Sequence, residues 1–222
     1  MKIVIQCAAS KSDHAGCLAT SDGKSIIFVA YPEYAPYKDG YFYCRPDDLS
    51  PDGITWRNKL IDYNNKENNP DNLLPAYQLY RHESYVNLVD RYGKDNIYIL
   101  SAGWGLISSQ FLTPVYDITF SISAEKYKRR KNMDKYDDFC QLKLDCHEDL
   151  LFFGGKDYLP LFSILTRSYQ GRRIIFYNSK IKPNVSGCSL VRYTTTTRTN
   201  WHYECVKAFI NKKVSIRSEQ YE

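Results

Sequence analysis

Short apolar runs rich in β-branched residues recur along the chain, and this pattern constrains the fold more than any other feature of the sequence. The runs cover residues 2–7, 25–30, 97–102, 173–178 and 189–196. Each run is four to eight residues long and is bounded by small or polar residues, which is typical of strands buried in a sheet. We therefore predict five strands.

Helical patterns occupy much of the chain between these runs. They predict helices over residues 54–63, 73–92, 124–151, 158–169 and 201–212. Asp52 and Asn200 are the predicted N-caps of the first and last helix, and Gly93 ends the second. Alternating strands and helices predict an α/β fold, a single domain with a mostly parallel central sheet flanked by helices. Residues from about 17 to 72 are predicted to form an insertion or lid.

The composition excludes several classes of protein. Of the 222 residues, 43% are hydrophobic and 25% are charged, as in an ordinary soluble protein. No apolar run is long enough to span a bilayer, and the first residues resemble a strand rather than a signal peptide, so we expect a cytoplasmic protein without a membrane partner. The seven cysteines are irregularly spaced and include no CxxC pair, so we predict free thiols, no metal and no cofactor.

The charge of the chain is unevenly distributed. Residues 150–217 contain 12 basic and two acidic residues, whereas the rest of the chain contains 18 basic and 23 acidic residues. The C-terminal third is therefore strongly basic, and aromatic residues are interleaved with its charges. This pattern favours a polyanionic partner such as nucleic acid over a merely solvated basic face.

Three predicted strands end in loops that contain candidate functional residues. The first loop has Gln6, Ser10 and Lys11 and could hold a phosphate on its backbone N–H groups, although no GxxxxGK motif is present. The second loop contains Gly103-Trp104-Gly105, and the third precedes the last helix. Because sites in open α/β sheets form at the carboxyl ends of strands, we expect these loops to meet.

Asp117 is the candidate catalytic residue, because it is an acid among apolar and aromatic residues and has no basic neighbour in the local sequence. It could stabilise positive charge on a sugar or orient a water, or it could cap a turn near residues 121–123. Trp104 could stack on a base or fill the core. Gly103 and Gly105 could allow close approach to a ligand or form a tight turn.

Four motifs in this order resemble a known family. The strand ending in Cys7 and Lys11, the helix motif Ala76-Tyr-x-Leu-Tyr80, the run ILSAGWGLI and the pair Tyr116-Asp117 resemble YaaA-like proteins and a domain of archaeosine synthases. In size and motifs the chain is similar to the Brig-type phage-defence DNA glycosylases. The resemblance covers most of the chain, with anchors near residues 5–11, 74–80, 99–120 and 198–206.

The resemblance implies cleavage of an N-glycosidic bond in DNA, with glucosylated hydroxymethylcytosine of phage DNA as the substrate and antiviral defence as the purpose. Asp117 is then the catalytic carboxylate. The expected substrate-binding residues are Gln6, Ser10, Lys11, Gly103, Trp104, Gly105 and Tyr116. The expected nucleic-acid contacts are Lys128, Arg129, Arg130, Arg172, Arg198, Asn200 and His202.

Two other functions remain open from the sequence. The link to archaeosine synthases suggests a base-exchanging or base-modifying enzyme that acts on tRNA or DNA. The basic C-terminal third would also suit a non-catalytic DNA-binding stress protein. If a lyase step followed base removal, Lys11 would be the candidate amine.

Overall fold

The hydrophobic runs of the sequence form the strands of three sheets in the computed structural model, which describes residues 1–216. The strands are β1 (Lys2–Gln6), β2 (Ser25–Val29), β3 (Tyr41–Cys44), β4 (Leu74–Pro75), β5 (Ile97–Ser101), β6 (Gly105–Ser108), β7 (Leu112–Thr113), β8 (Tyr116–Asp117), β9 (Phe139–Cys140), β10 (Leu150–Phe153), β11 (Arg173–Tyr177) and β12 (Cys188–Arg192). The helices are α1 (Trp56–Asn64), α2 (Ala76–Leu79), α3 (Ser84–Tyr92), α4 (Leu159–Thr166) and α5 (Trp201–Ile210).

The central sheet has seven strands in the order β12-β11-β10-β1-β5-β6-β9. Neighbouring strands are parallel except at β5 and β6, which form an antiparallel hairpin. The predicted α/β fold with a mostly parallel central sheet flanked by helices is therefore confirmed.

Helices cover both faces of this sheet because its central strands are apolar on both sides. In β10 the side chains of Phe152 and Phe153 point to opposite faces. Phe152 stacks on Phe162 of α4, with ring centroids 4.5 Å apart, and Phe153 contacts Phe209 of α5 at 5.3 Å. Helix α3 packs beside α5, where Tyr92 stacks on the same Phe209.

Residues 17–72, the predicted insertion, form part of a second sheet. Its order is β3-β2-β8, so the predicted strand at residues 25–30 belongs here and not to the central sheet. Helix α1 is present, but its N-cap is Thr55, whose hydroxyl accepts the Asn58 N–H, and not Asp52. Asp52 instead pairs with Lys59 at 2.9 Å.

Two helix predictions are wrong. Residues 124–151 contain one 3₁₀ turn at Lys126–Lys128, the short strand β9 and the start of β10, but no α-helix. The predicted helix over 73–92 is interrupted because Tyr80 is extended and forms a bridge with Lys11. Among the described residues, no helix combines the length and the apolar character that crossing a bilayer requires.

Candidate active site

The order in which the chain adds strands to the central sheet reverses between the neighbouring strands β1 and β10. From β1 the chain moves to β5 on one side, and it later returns to β10 on the other side. In parallel sheets the loops that leave such a pair of strands in opposite directions open a crevice at the carboxyl ends of the strands. A cavity of about 820 Å³ lies at this edge, a volume typical of ligand-binding sites.

The cavity wall is built mainly from the ends of three adjacent strands. It consists of residues 6–10 at the end of β1, 154–159 after β10, 176–179 at the end of β11 and 198–203 at the start of α5, together with Arg81, His82, Thr119, Ser121 and Pro183. No residue of the 17–72 segment contributes to this wall within the described chain, so that segment does not cover the cavity.

Gln6 ties the two central strand ends together. Its Oε1 accepts a hydrogen bond of 2.6 Å from the Gly155 N–H. A side chain at Gly154 would collide with the buried ring of Phe152, so there is no room for a Cβ at this position. Both glycines are part of the cavity wall.

Aromatic rings form one side of the cavity. The rings of His82 and Tyr203 are stacked, with centroids 3.6 Å apart and planes 8° from parallel. Behind them, the Tyr85 hydroxyl donates to the Gln6 carbonyl at 2.7 Å and lies 3.2 Å from the Tyr203 hydroxyl. This network fixes the two rings in the cavity wall, with His82 exposed and Tyr203 buried. Flipped bases stack on aromatic rings of this kind.

His202 also lines the cavity, and it is only 2% exposed. Its Nε2 atom has no hydrogen-bond partner in the described chain. Burial lowers its pKa to about 3, with a smaller contribution from His82, so the ring is neutral at pH 7.

The charges of the wall are mostly unpaired. Lys156 is exposed, as is Arg198, and among the described residues neither forms an ion pair, whereas Arg81 pairs with Asp13. Asp157 is the one carboxylate of the wall in residues 1–216, and it has no ion-pair partner there. In the same residues, no three His, Cys, Asp or Glu side chains are placed to hold a metal ion.

Five of the residues proposed from sequence meet at this cavity. They are Gln6, Ser10, Arg198, Asn200 and His202. The capping role predicted for Asn200 is wrong, because its backbone is left-handed (φ 60°) and its side chain makes no capping hydrogen bond.

The Gly103-Trp104-Gly105 loop lies elsewhere. It is the turn between β5 and β6, and Trp104 is fully buried, with its ring 4.9 Å from that of Phe28. Gly105 has a φ of 95°, and a side chain there would collide with the Phe139 backbone. The prediction that this loop lines a pocket is wrong, since β5 turns back at once into the core.

Tyr116 is also in the core and is 1% exposed. Its hydroxyl accepts a hydrogen bond from Ser101 at 2.8 Å and lies 2.8 Å from the Tyr80 hydroxyl. Tyr116 therefore cannot stack on a base in this structure. The Lys11 ammonium lies 4.3 Å from the centre of the Tyr116 ring, and burial, more than any other cause, lowers the Lys11 pKa.

Asp117 lies in β8 and has a basic partner after all. Its carboxylate forms a 2.8 Å ion pair with Lys128, which also contacts Glu125 at 2.7 Å. Asp117 is not a turn cap, and it is not part of the cavity wall, although Thr119 is. Its catalytic role stays a prediction.

The other basic residues proposed as phosphate contacts are engaged within the protein. Arg130 is buried and forms two hydrogen bonds with Asp138, at 2.6 and 2.8 Å. Arg129 donates to the Ile122 carbonyl at 3.3 Å. Arg172 pairs with Asp149 at 2.7 Å, at the amino end of the sheet and opposite the cavity.

The missed cavity residues follow from the missed strand β10. The helix predicted over residues 124–151 includes the start of β10, so it hides the strand end that leads into the cavity. The run Leu150–Phe153, four apolar residues followed by Gly154-Gly155, was the available signal. His82 and Tyr203 had no such signal, since the stack joins two helix ends far apart in sequence.

Comparison with protein-family models, curated proteins and solved structures finds no match to this chain. The resemblance to YaaA-like proteins and Brig-type glycosylases therefore stays a prediction.

Proposed function

We propose that this protein binds a nucleotide flipped out of DNA in the cavity and hydrolyses its N-glycosidic bond, leaving an abasic site. A modified base of phage DNA is the expected substrate, and defence against phage is the expected purpose. One observation carries the proposal: a stacked aromatic surface, a single carboxylate and unpaired cations face the same 820 Å³ space.

The chemistry requires a carboxylate near the sugar. When the bond between the sugar C1′ and the base nitrogen breaks, positive charge develops on the sugar. The electron pair of the broken bond leaves with the base nitrogen, and water adds its oxygen to C1′. One proton of the water stays on the new C1′ hydroxyl, and the other is released and balances the proton that the departing base takes up. Asp157 is the carboxylate of the cavity wall among the described residues, and in this proposal it stabilises the charge and takes the role expected for Asp117.

The base would be recognised by stacking and by two amides. The His82 and Tyr203 stack offers the flat surface. Gln6 uses its Oε1 atom and Asn178 uses its Nδ2 atom in hydrogen bonds within the protein. The Gln6 amide nitrogen and the Asn178 amide oxygen remain as one donor and one acceptor for the edge of a base.

DNA would approach over exposed cations at the mouth of the cavity. Lys156 and Arg198 are part of the wall. Lys180 and Lys182 are exposed in the loop after β11, beside the wall residues Ser179 and Pro183. Cations that are not paired within the protein are free to neutralise phosphates.

A base-release assay on three asparagine variants tests the proposal. Purified protein is incubated with unmodified DNA, uracil-containing DNA and glucosyl-hydroxymethylcytosine phage DNA, and released bases are measured by mass spectrometry. We expect Asp157→Asn to lower release about 100-fold or more while DNA affinity stays within about twofold. Asp145→Asn, an exposed acid outside the cavity wall, is the matched control.

Asp117→Asn separates the two candidate carboxylates. If Asp117→Asn stops release and Asp157→Asn does not, the catalytic group is the one proposed from sequence. If no DNA loses a base but DNA binding is tight and salt-sensitive, the protein is a binding protein and the glycosylase proposal fails. Incorporation of a labelled free base into tRNA or DNA would instead identify a base-exchanging enzyme.

A further inference from the structure

The first turn of α5 lines the cavity, and no side chain caps its backbone N–H groups, although the Tyr203 N–H donates to the Asn200 carbonyl at 3.0 Å. The helix runs for ten residues from Trp201, and the Asn200 side chain accepts no hydrogen bond from the backbone N–H groups of the first turn. The first N–H groups of a helix have no acceptor within the helix, and the helix dipole adds partial positive charge there. Such an end attracts an anion.

His202, in this same turn, provides an independent observation. It is 98% buried, it lines the cavity, and its Nε2 has no partner among the described residues. Buried polar atoms in proteins are nearly always hydrogen-bonded, and of the unpartnered ones in the described chain only this one belongs to a residue of the cavity wall, which makes it a candidate contact for a bound group. Its lowered pKa keeps the ring neutral, so it offers a hydrogen bond without adding a buried charge.

The charges around this turn match an anion. Arg198 lies just before the helix, and Lys156 lies on the neighbouring wall. The acid nearest in sequence, Glu204, is held by hydroxyls of the preceding loop, with Thr195 donating at 2.7 Å and Thr197 also in contact. Glu204 is not part of the cavity wall.

We propose that the first turn of α5, together with His202 and Arg198, is a phosphate subsite that holds a phosphodiester next to the flipped nucleotide. The proposal rests on the proposed function for the identity of the ligand as a nucleotide of DNA. The anion binding itself does not depend on base release and is measured separately.

A calorimetric titration of the protein with inorganic phosphate at pH 7 tests the subsite directly. We expect millimolar binding by the full chain, weakened about tenfold in His202→Phe and in Arg198→Met. A short single-stranded oligonucleotide should displace the phosphate, which distinguishes a phosphodiester site from one for free phosphate. Arg172→Met, at the opposite end of the sheet, is the matched control and should bind as the unchanged protein does.

Thermal unfolding of each variant shows that loss of binding is not loss of fold. His202→Phe removes an unpartnered polar atom and should keep or raise the melting temperature. Arg198 is exposed, so Arg198→Met cannot create a buried defect. Unchanged phosphate binding in both variants, or no binding by the full chain, overturns the subsite.

The two proposals fail separately. If the protein releases a base but does not bind phosphate, the subsite is wrong and the glycosylase proposal stands. If phosphate binds and depends on His202 but no DNA loses a base, the subsite stands and the glycosylase proposal is wrong.

Discussion

Two regions of this protein contain small residues, aromatic residues and basic residues close to the ends of central strands, and the structure uses them in opposite ways. Around the Gly103-Trp104-Gly105 turn, Arg57 donates to the Gly103 and Trp104 carbonyls at 3.0 and 3.1 Å, and Arg130 donates to the Ala102 carbonyl at 2.8 Å. At the cavity, by contrast, the wall contains charged and polar side chains that have no ion-pair or hydrogen-bond partner of this kind among the described residues.

The difference shows what separates a structural cluster from a site. In the first region Arg57 and Arg130 are each paired with a carboxylate and with backbone carbonyls, so the charges of the turn are closed within the core. Two nitrogen atoms stay open there, since the Trp104 Nε1 and Arg130 Nε atoms have no partner in the described chain.

In the second region Lys156, Arg198, Asp157 and the His202 Nε2 have no such matches in the described chain. Unmatched groups around one cavity are the arrangement that a ligand completes.

Arg130→Met should have the largest effect and tests the closed region. It leaves the Asp138 carboxylate, whose side chain is 9% exposed, buried without its partner. We expect a loss of about 3–5 kcal/mol in the free energy of unfolding, measured by urea denaturation. Arg129→Met, with only a carbonyl contact, should cost less than about 1 kcal/mol.

The opposite result would show that the region around Arg130 is a binding surface and not a closed part of the core. If Arg130→Met left stability unchanged and weakened DNA binding, the run at residues 128–130 would be a phosphate contact, as the sequence suggested.

His202→Phe should change the pH dependence of stability. The folded pKa of His202 is about 3, whereas an unfolded histidine has a pKa of about 6.5. Between these values the unfolded chain binds a proton that the folded chain does not, so stability falls as pH falls below about 6.5. From pH 7 to pH 5 this histidine alone lowers the free energy of unfolding by about 2 kcal/mol. The loss of stability over this pH range should therefore be about 2 kcal/mol smaller in His202→Phe than in the unchanged protein.

Urea denaturation of both proteins at pH 7 and pH 5 measures this difference. His147→Phe, an exposed histidine at the other end of the sheet, serves as the control and should keep the full pH dependence. Equal losses in the unchanged protein and in His202→Phe would mean that the ring is not held neutral by burial.

The smallest expected effect is a difference between Arg198→Met and Arg172→Met in the salt dependence of DNA binding. Both arginines were proposed as DNA contacts, but only Arg172 has an acidic partner, Asp149. We expect Arg198→Met to reduce the slope of log affinity against log salt by about 0.9, and Arg172→Met to leave it unchanged. The measurement is fluorescence anisotropy of labelled DNA over a salt series, and equal slopes for the two variants would count against a DNA contact at Arg198.

The fold class follows from the local sequence pattern, because buried strands need apolar β-rich runs and surface helices need helical periodicity. The five predicted strands are present, and the helices at α1, α4 and α5 lie where their patterns indicate. The local pattern did not determine the region around residues 124–153, where the basic run and the short strand β10 have no periodicity that separates strand from helix.

The location of the site depends on contacts between residues far apart in the sequence. Whether the loop after a strand lines the cavity depends on where the chain goes next. After β5 the chain turns back into the antiparallel strand β6, whereas the loop after β1 lies next to the loop after β10, where the cavity is. Trp104, Tyr116 and Arg130 look like ligand contacts in sequence, and they are core residues because distant partners enclose them. Local residue types reveal which hydrogen bonds and charges a side chain can offer, but contacts far apart in sequence decide which of these remain free for a ligand.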